Sequence, residues 1–207
     1  MGLMGLITLY VEDMLRYILA ALPFYVGFRF IFLKKKRKIT SFKKELILGL
    51  FALYLVGLAS QTIVPNWNAG IVTDTGEPFF DIYFTNELSH VNIIPFHTLY
   101  EYFFQTNTNV DEWNSVSLLN LTANVMLFLP LGFFVSLIWR KYHSFRRVMI
   151  LGLFVTCLIE FIQYFIGRSS DIDDVLLNTF GTVIGYVVLL ISQYLIRKPV
   201  KQKKATI

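Results

Sequence analysis

Glu160 is the residue best placed to do chemistry. It lies within 148–166, an apolar run with no other acid. Gln163 follows one turn later, on nearly the same helical face. A carboxylate in hydrocarbon carries a large desolvation cost, so it requires a proton, a partner or a ligand. Further polar groups recur at helical spacing. Asn120 and Asn124 are i and i+4 at the start of one apolar run. Asp174 and Asn178 are i and i+4 at the start of another, and Gly181 and Gly185 continue their stripe. Gln61 closes a fourth run. The segment from Gly167 to Asp174 adds Arg168, Asp171 and Asp173.

Three kinds of chemistry fit these types. Glu160 is a candidate general acid or base. Asp171, Asp173 and Asp174 are weak candidates for a divalent ion, and no resident metal or cofactor is expected. Arg168, with Arg16 in support, suits a phosphate group. Amides and a carboxylate at one depth otherwise make a binding pocket, or hydrogen-bonded glue between helices. A plainer account makes Asp171 or Asp173 the cap of the following helix and pairs Arg168 with a neighbouring acid. It leaves Glu160, Gln163 and the asparagines unexplained.

The elements that position these groups are long apolar segments. Five of them run over about 14–33, 46–64, 117–138, 148–166 and 175–196. At 1.5 Å per residue each reaches across a hydrocarbon core of about 30 Å. A soluble helix of that length carries a polar face, and these largely do not. Hydrophobic residues make up 55% of the chain, charged residues 16%, and mean hydropathy is +0.56. The expected fold is all-α, a polytopic membrane helical bundle of five transmembrane helices. Residues 1–13 form an external interfacial segment, 14–196 a single transmembrane domain, and 197–207 a basic cytoplasmic tail.

Sixteen of the 19 Lys and Arg residues fall in three blocks. These are Lys34 to Lys38 with Lys43 and Lys44; Arg140, Lys141, Arg146 and Arg147; and Arg197, Lys198, Lys201, Lys203 and Lys204. Each abuts a span end. The positive-inside bias places all three in the cytoplasm, with the N-terminus outside and the C-terminus inside the plasma membrane. They read as topology signals and contacts for anionic lipids, and a nucleic-acid role is excluded on their distribution. Residues 65–115 hold seven acids and no Lys or Arg, as an external loop should. Aromatic residues crowd this loop, and 96–105 reads as a short interfacial helix with Pro95 as its first residue. No cleaved signal peptide is expected. Cys157 is the only cysteine, so no disulfide forms within the chain. His97 and Glu101, i and i+4, read as an interfacial surface pair.

Three motifs give the chain a family resemblance. The first is Asn92-Ile93-Ile94-Pro95-Phe96. The second is Asn120 and Asn124 followed by Leu127-Phe128-Leu129-Pro130-Leu131-Gly132-Phe133. The third is Glu160-x-x-Gln163, Arg168, Asp171-Ile172-Asp173-Asp174, then Asn178-x-x-Gly181 and Gly185. In order and spacing, over about 92–185, the chain resembles the VanZ-like membrane proteins of bacteria. Residues 1–91 add two spans without a motif of that kind. The resemblance implies a multi-pass envelope protein whose founding member gives low-level resistance to the glycopeptide teicoplanin. It implies no catalytic mechanism.

Three function classes follow. The first is an envelope protein that is not an enzyme and binds a membrane lipid or lipid-linked precursor. Its outer-leaflet pocket is expected to comprise Glu160, Gln163, Arg168, Asp171, Asp174, Asn178, Asn120, Asn124 and Asn92. The second is an intramembrane enzyme acting on a lipid headgroup, with Glu160 as acid or base. The third is a small lipid transporter, which the lack of visible inverted repeats disfavours.

Overall fold

The computed structural model describes residues 3–36, 40–73, 75–83, 91–105 and 113–197. Among the described residues six α-helices dominate: α1 (Leu3–Lys36), α2 (Phe42–Thr62), α3 (His97–Phe104), α4 (Trp113–Ile138), α5 (Phe145–Phe165) and α6 (Ile172–Arg197). Four short strands accompany them: β1 (Asn66–Ile71), β2 (Pro78–Tyr83), β3 (Val91–Asn92) and β4 (Ser170–Asp171). The protein is an all-α polytopic bundle. Among the described residues, α1, α4, α5 and α6 are long and apolar enough to cross a membrane. The other expected span, 46–64, is helical as α2 over 21 residues.

The core lies where α2, α4 and α5 meet. Phe51, Leu58, Phe128, Leu131, Val135 and Ile159 form its buried cluster. Around the outside, large apolar side chains such as Phe24, Phe154, Phe180 and Leu195 remain exposed. In water such a surface would aggregate; in a bilayer it is the correct solvent contact. Pro130 lies inside α4 without ending it. In the preceding turn the Tyr54 hydroxyl donates to the Leu127 carbonyl at 2.8 Å, which fastens α2 to α4.

The α4–α6 pair is the most extensive helix contact. Glycines on both sides make it possible. A Cβ at Gly132 would meet the Thr182 carbonyl, and Cβ atoms at Gly181 and Gly185 would meet the Val125 and Leu129 carbonyls. The backbones thus touch directly, in the manner of small-residue packing in membranes. At the basic end, Arg29 holds Glu45 through two bonds of 2.6 and 2.8 Å, joining α1 to α2. This fork-to-fork pair is the strong form of an ion pair.

Two features add to the sequence-based expectation. Residues 3–13 are helical and run into the rest of α1 without a break. No proline or glycine pair interrupts that stretch after Gly5, so the helix propagates through it. The loop after α2 also holds an unanticipated hairpin, β1 paired antiparallel with β2 from Asn66↔Tyr83 to Ile71↔Pro78. Gly76, at φ +71°, serves its turn. Trp67 stacks near Phe80 and donates its indole N–H to the Tyr17 hydroxyl at 2.7 Å, which ties the hairpin to α1. The tail 198–207 and residues 84–90 and 106–112 lie outside the described residues, and with them the third basic block beyond Arg197 and His90.

Candidate functional site

The turn between α5 and α6 organises the polar end of the bundle. At the end of α5 the Arg168 N–H returns to the Gln163 carbonyl at 2.9 Å. Gly167 sits between them at φ +71°, the left-handed position that closes a helix and favours glycine. The chain then reverses through Ser170 and Asp171. Asp171 caps α6, its Oδ1 accepting the Asp173 amide at 2.9 Å.

Asp173 has a role that sequence reasoning did not assign. It is fully buried. Its carboxylate accepts the amides of Phe96 at 2.6 Å and Leu99 at 3.1 Å, in the first turn of α3. Phe96 supplies no side-chain cap of its own. A carboxylate on α6 therefore caps a helix more than 70 residues away in sequence, where the helix dipole favours negative charge. Phe96 is held at φ 66°, an uncommon region for a bulky residue, and the hydrogen bond from its N–H to Asp173 Oδ1 supports it there. This geometry displaces Pro95 from the expected first helical position; α3 begins at His97.

Asn92 completes the same clamp. Its Nδ2 donates to Asp171 Oδ1 at 3.1 Å and to the Thr98 hydroxyl at 3.0 Å. The Thr98 hydroxyl in turn donates to Asp171 Oδ2. β3 pairs in parallel with β4, aligning Asn92 with Asp171. The Asn92–Phe96 motif is thus strapped to the Asp171–Asp174 motif. We expect Asp173→Ala to release this strap, because hydrogen bonds to charged groups contribute about 1.5–3 kcal/mol. Amide hydrogen exchange over 96–104 should then accelerate roughly tenfold to a hundredfold. Unchanged exchange in α3 would show that the strap is held by something else.

Beneath the strap lies a cavity of about 980 Å³. Glu160, Gln163, Arg168, Asp171, Asp174, Asn178, Asn120 and Asn124 all line it, and so does Gln61. Asn92 does not; it reaches the site only through Asp171 and Thr98. Arg16 does not line it either and is exposed on α1, while Met14 and Val11 of the same helix do face the cavity. Arg16 falls on the face of α1 opposite the inward stripe of Ile7, Tyr10, Val11 and Met14, a distinction that proximity in sequence cannot make.

The polar wall is built from paired groups. Glu160, 6% exposed, accepts the Asp171 amide at 2.8 Å through Oε2. Asn124 donates to Asp174 Oδ1 at 2.5 Å, joining α4 to α6. Asn120 donates to the Tyr102 hydroxyl at 3.2 Å, joining α4 to α3. Burial pushes the Tyr102 phenol above its ordinary range, against the opposing bond from Asn120, so it stays protonated at neutral pH. Gln163 donates through Nε2 to the Thr62 carbonyl at 3.0 Å, joining α5 to α2. Two buried oxygens, Gln163 Oε1 and Asn178 Oδ1, have no hydrogen-bond partner among the described residues. Each such orphan costs about 1–3 kcal/mol unless something else bonds to it. Apolar side chains complete the lining, with Ile7, Val11 and Met14 from α1 and Leu119, Met126 and Leu127 from α4.

The three aspartates do not converge as an ion site. Asp171 faces Asn92 and Thr98, Asp173 faces the amides of α3, and Asp174 faces Asn124. No group of three or more His, Cys, Asp or Glu among the described residues is placed to hold a metal. His97 and Glu101 approach at 3.8 Å on the exposed face of α3. Arg168 pairs with no acid in the turn; its guanidinium donates to the Val64 carbonyl at 3.4 Å.

The VanZ/LLP1 family profile matches residues 51–193. That range begins in α2, earlier than the motifs alone indicated, and takes in every cavity-lining residue except those of α1. No curated protein and no solved structure matches the chain. With most of its length matched, from within α2 to residue 193 of α6, the chain belongs to the VanZ/LLP1 family.

Proposed function

We propose that this membrane protein binds the polar headgroup of a lipid or lipid-linked precursor in the cavity beneath the α3 strap, entering from the outer leaflet. The observation that carries the reading is the mixed lining. Carboxylates and amides from α4, α5 and α6 share the cavity with aliphatic side chains from α1 and α4. An amphiphile satisfies both, whereas a polar solute would leave the aliphatic groups wet and an apolar one would strand the amides. Lateral entry is supported by the way α1 packs along α2 and touches α4, without comparable packing on α5 or α6.

The outer-leaflet assignment rests on charge. Helix alternation puts the C-terminal end of α1, the start of α2, and the α4–α5 connection at one end of the bundle. Lys34 to Lys36, Lys43, Lys44, Arg140, Lys141, Arg146 and Arg147 all lie there. The cavity lies at the other end. The positive-inside bias then gives a plasma-membrane protein with its N-terminus outside, its C-terminus in the cytoplasm, and its basic end against anionic lipid. Occupancy of the pocket would change how lipophilic glycopeptides of the teicoplanin type engage the cell surface. The test uses a Cys157→Ala background with single cysteines at Asn68 or Lys141. An impermeant maleimide applied to intact cells should modify the first and spare the second until the membrane is opened. The reverse pattern would move the cavity to the cytoplasmic side and overturn the outer-leaflet reading.

A further inference from the structure

The chemistry of the cavity is one-sided, and this narrows the class of headgroup. Among the described residues, three carboxylates, Glu160, Asp171 and Asp174, share the lining with one cation, Arg168. The two orphan atoms, Gln163 Oε1 and Asn178 Oδ1, are both acceptors. Their residues are only 9% and 3% exposed. The Gln163 amide cannot turn to present its N–H₂ instead. Its Nε2 already donates to the Thr62 carbonyl at 3.0 Å, and a turned amide would set two carbonyl oxygens against each other. Gln163 and Glu160 share one face of α5, and Asn178 and Asp174 share one face of α6. The two faces line one space.

Such a wall calls for a ligand that donates hydrogen bonds and brings positive charge. A phosphate alone would meet three acids with a single arginine. A quaternary ammonium carries charge but no N–H. A sugar carries donors but leaves the carboxylates uncompensated. A primary ammonium has three N–H donors and a positive charge. We propose that the pocket selects amphiphiles with a primary ammonium in the headgroup, seated against Gln163 Oε1 and Asn178 Oδ1 and neutralised by Glu160 and Asp174. The inference rests on the headgroup-binding reading and deepens it.

The test is a titration of purified protein in neopentyl-glycol maltoside detergent with three lysophospholipids of one acyl chain. Their headgroups are ethanolamine, choline and glycerol. All three carry the phosphate; the ethanolamine and choline headgroups both bear a cation and differ in N–H donors and bulk, whereas glycerol offers hydroxyl donors without positive charge. The ethanolamine lipid should bind at least about tenfold more tightly than either other. In Asn178→Leu, which removes one orphan oxygen at similar volume, that advantage should fall below about threefold. A rejection of choline by bulk alone would survive Asn178→Leu and would overturn the proposal. Equal binding of ethanolamine and choline lipids would overturn it as well, and tightest binding of the glycerol lipid would point to a polyol site instead. Binding of none of the three would overturn the headgroup-binding reading itself. Should Asn178→Leu fail to fold, the wild-type ranking decides the matter.

Discussion

Gly185→Ala is expected to lower the melting temperature by about 6–12 °C, from an overpacking cost of about 3 kcal/mol at 2–4 °C per kcal/mol. The added Cβ would fall on the Leu129 carbonyl oxygen and crowd the Phe133 amide. Those atoms belong to the α4 backbone, so no rotamer change relieves the clash. The helices must separate, and the contacts made at Gly132 and Gly181 separate with them. Gly185→Leu should therefore leave no cooperative unfolding transition. Gly27→Ala is the matched control, since nothing lies within 4 Å of its added Cβ. It should be neutral or stabilising by up to about 1 kcal/mol, the helix-propensity gain. Thermal unfolding in detergent, followed by intrinsic fluorescence, reads both. A Gly185→Ala protein that melts like the wild type would contradict the backbone contact between α4 and α6.

Glu160→Leu should abolish lipid retention, while Glu160→Gln should keep much of it. The glutamate accepts the Asp171 amide inside the bundle, and leucine leaves that N–H buried without a partner. The cost is about 1–3 kcal/mol, and the cavity loses a carboxylate from its polar wall. Glutamine keeps a carbonyl oxygen for the Asp171 amide and hydrogen-bonding capacity for a headgroup. An enzyme with Glu160 as acid or base needs a proton exchanged there, which glutamine cannot do. Lipid retained by Glu160→Gln together with an intact cellular phenotype would therefore argue against acid–base chemistry. Loss of phenotype with retained lipid would argue for it.

Much of the bundle is legible in the sequence because membrane helices announce themselves by length and apolarity. The pocket is legible too, since polar residues in hydrocarbon need a common destination. Asn120 and Asn124, Glu160 and Gln163, and Asp174 and Asn178 each fall on one helical face, and all six reach the cavity. What local spacing cannot convey is pairing across long separations. Asp173 looks like the cap of its own helix, because capping rules consider neighbours. It caps α3 instead, and its own helix is capped by Asp171. Asn92 looks like a lining residue and proves to be a clasp on Asp171. The β1–β2 hairpin was hidden by its aromatic composition, which suits an interface as well as a strand. Its register depends on Gly76 and on cross-strand contacts such as Trp67 with Phe80.

Native mass spectrometry of the purified wild-type protein tests the central claim most directly. The cavity is lined by residues of six helices and the α5–α6 turn, and its orphan acceptors are buried. A bound amphiphile should survive detergent extraction and appear as a discrete one-to-one adduct of lipid mass. The adduct should be absent from Glu160→Leu protein that is still folded. A wild-type spectrum showing only bare protein, or a ladder of adducts identical in both proteins, would contradict the account.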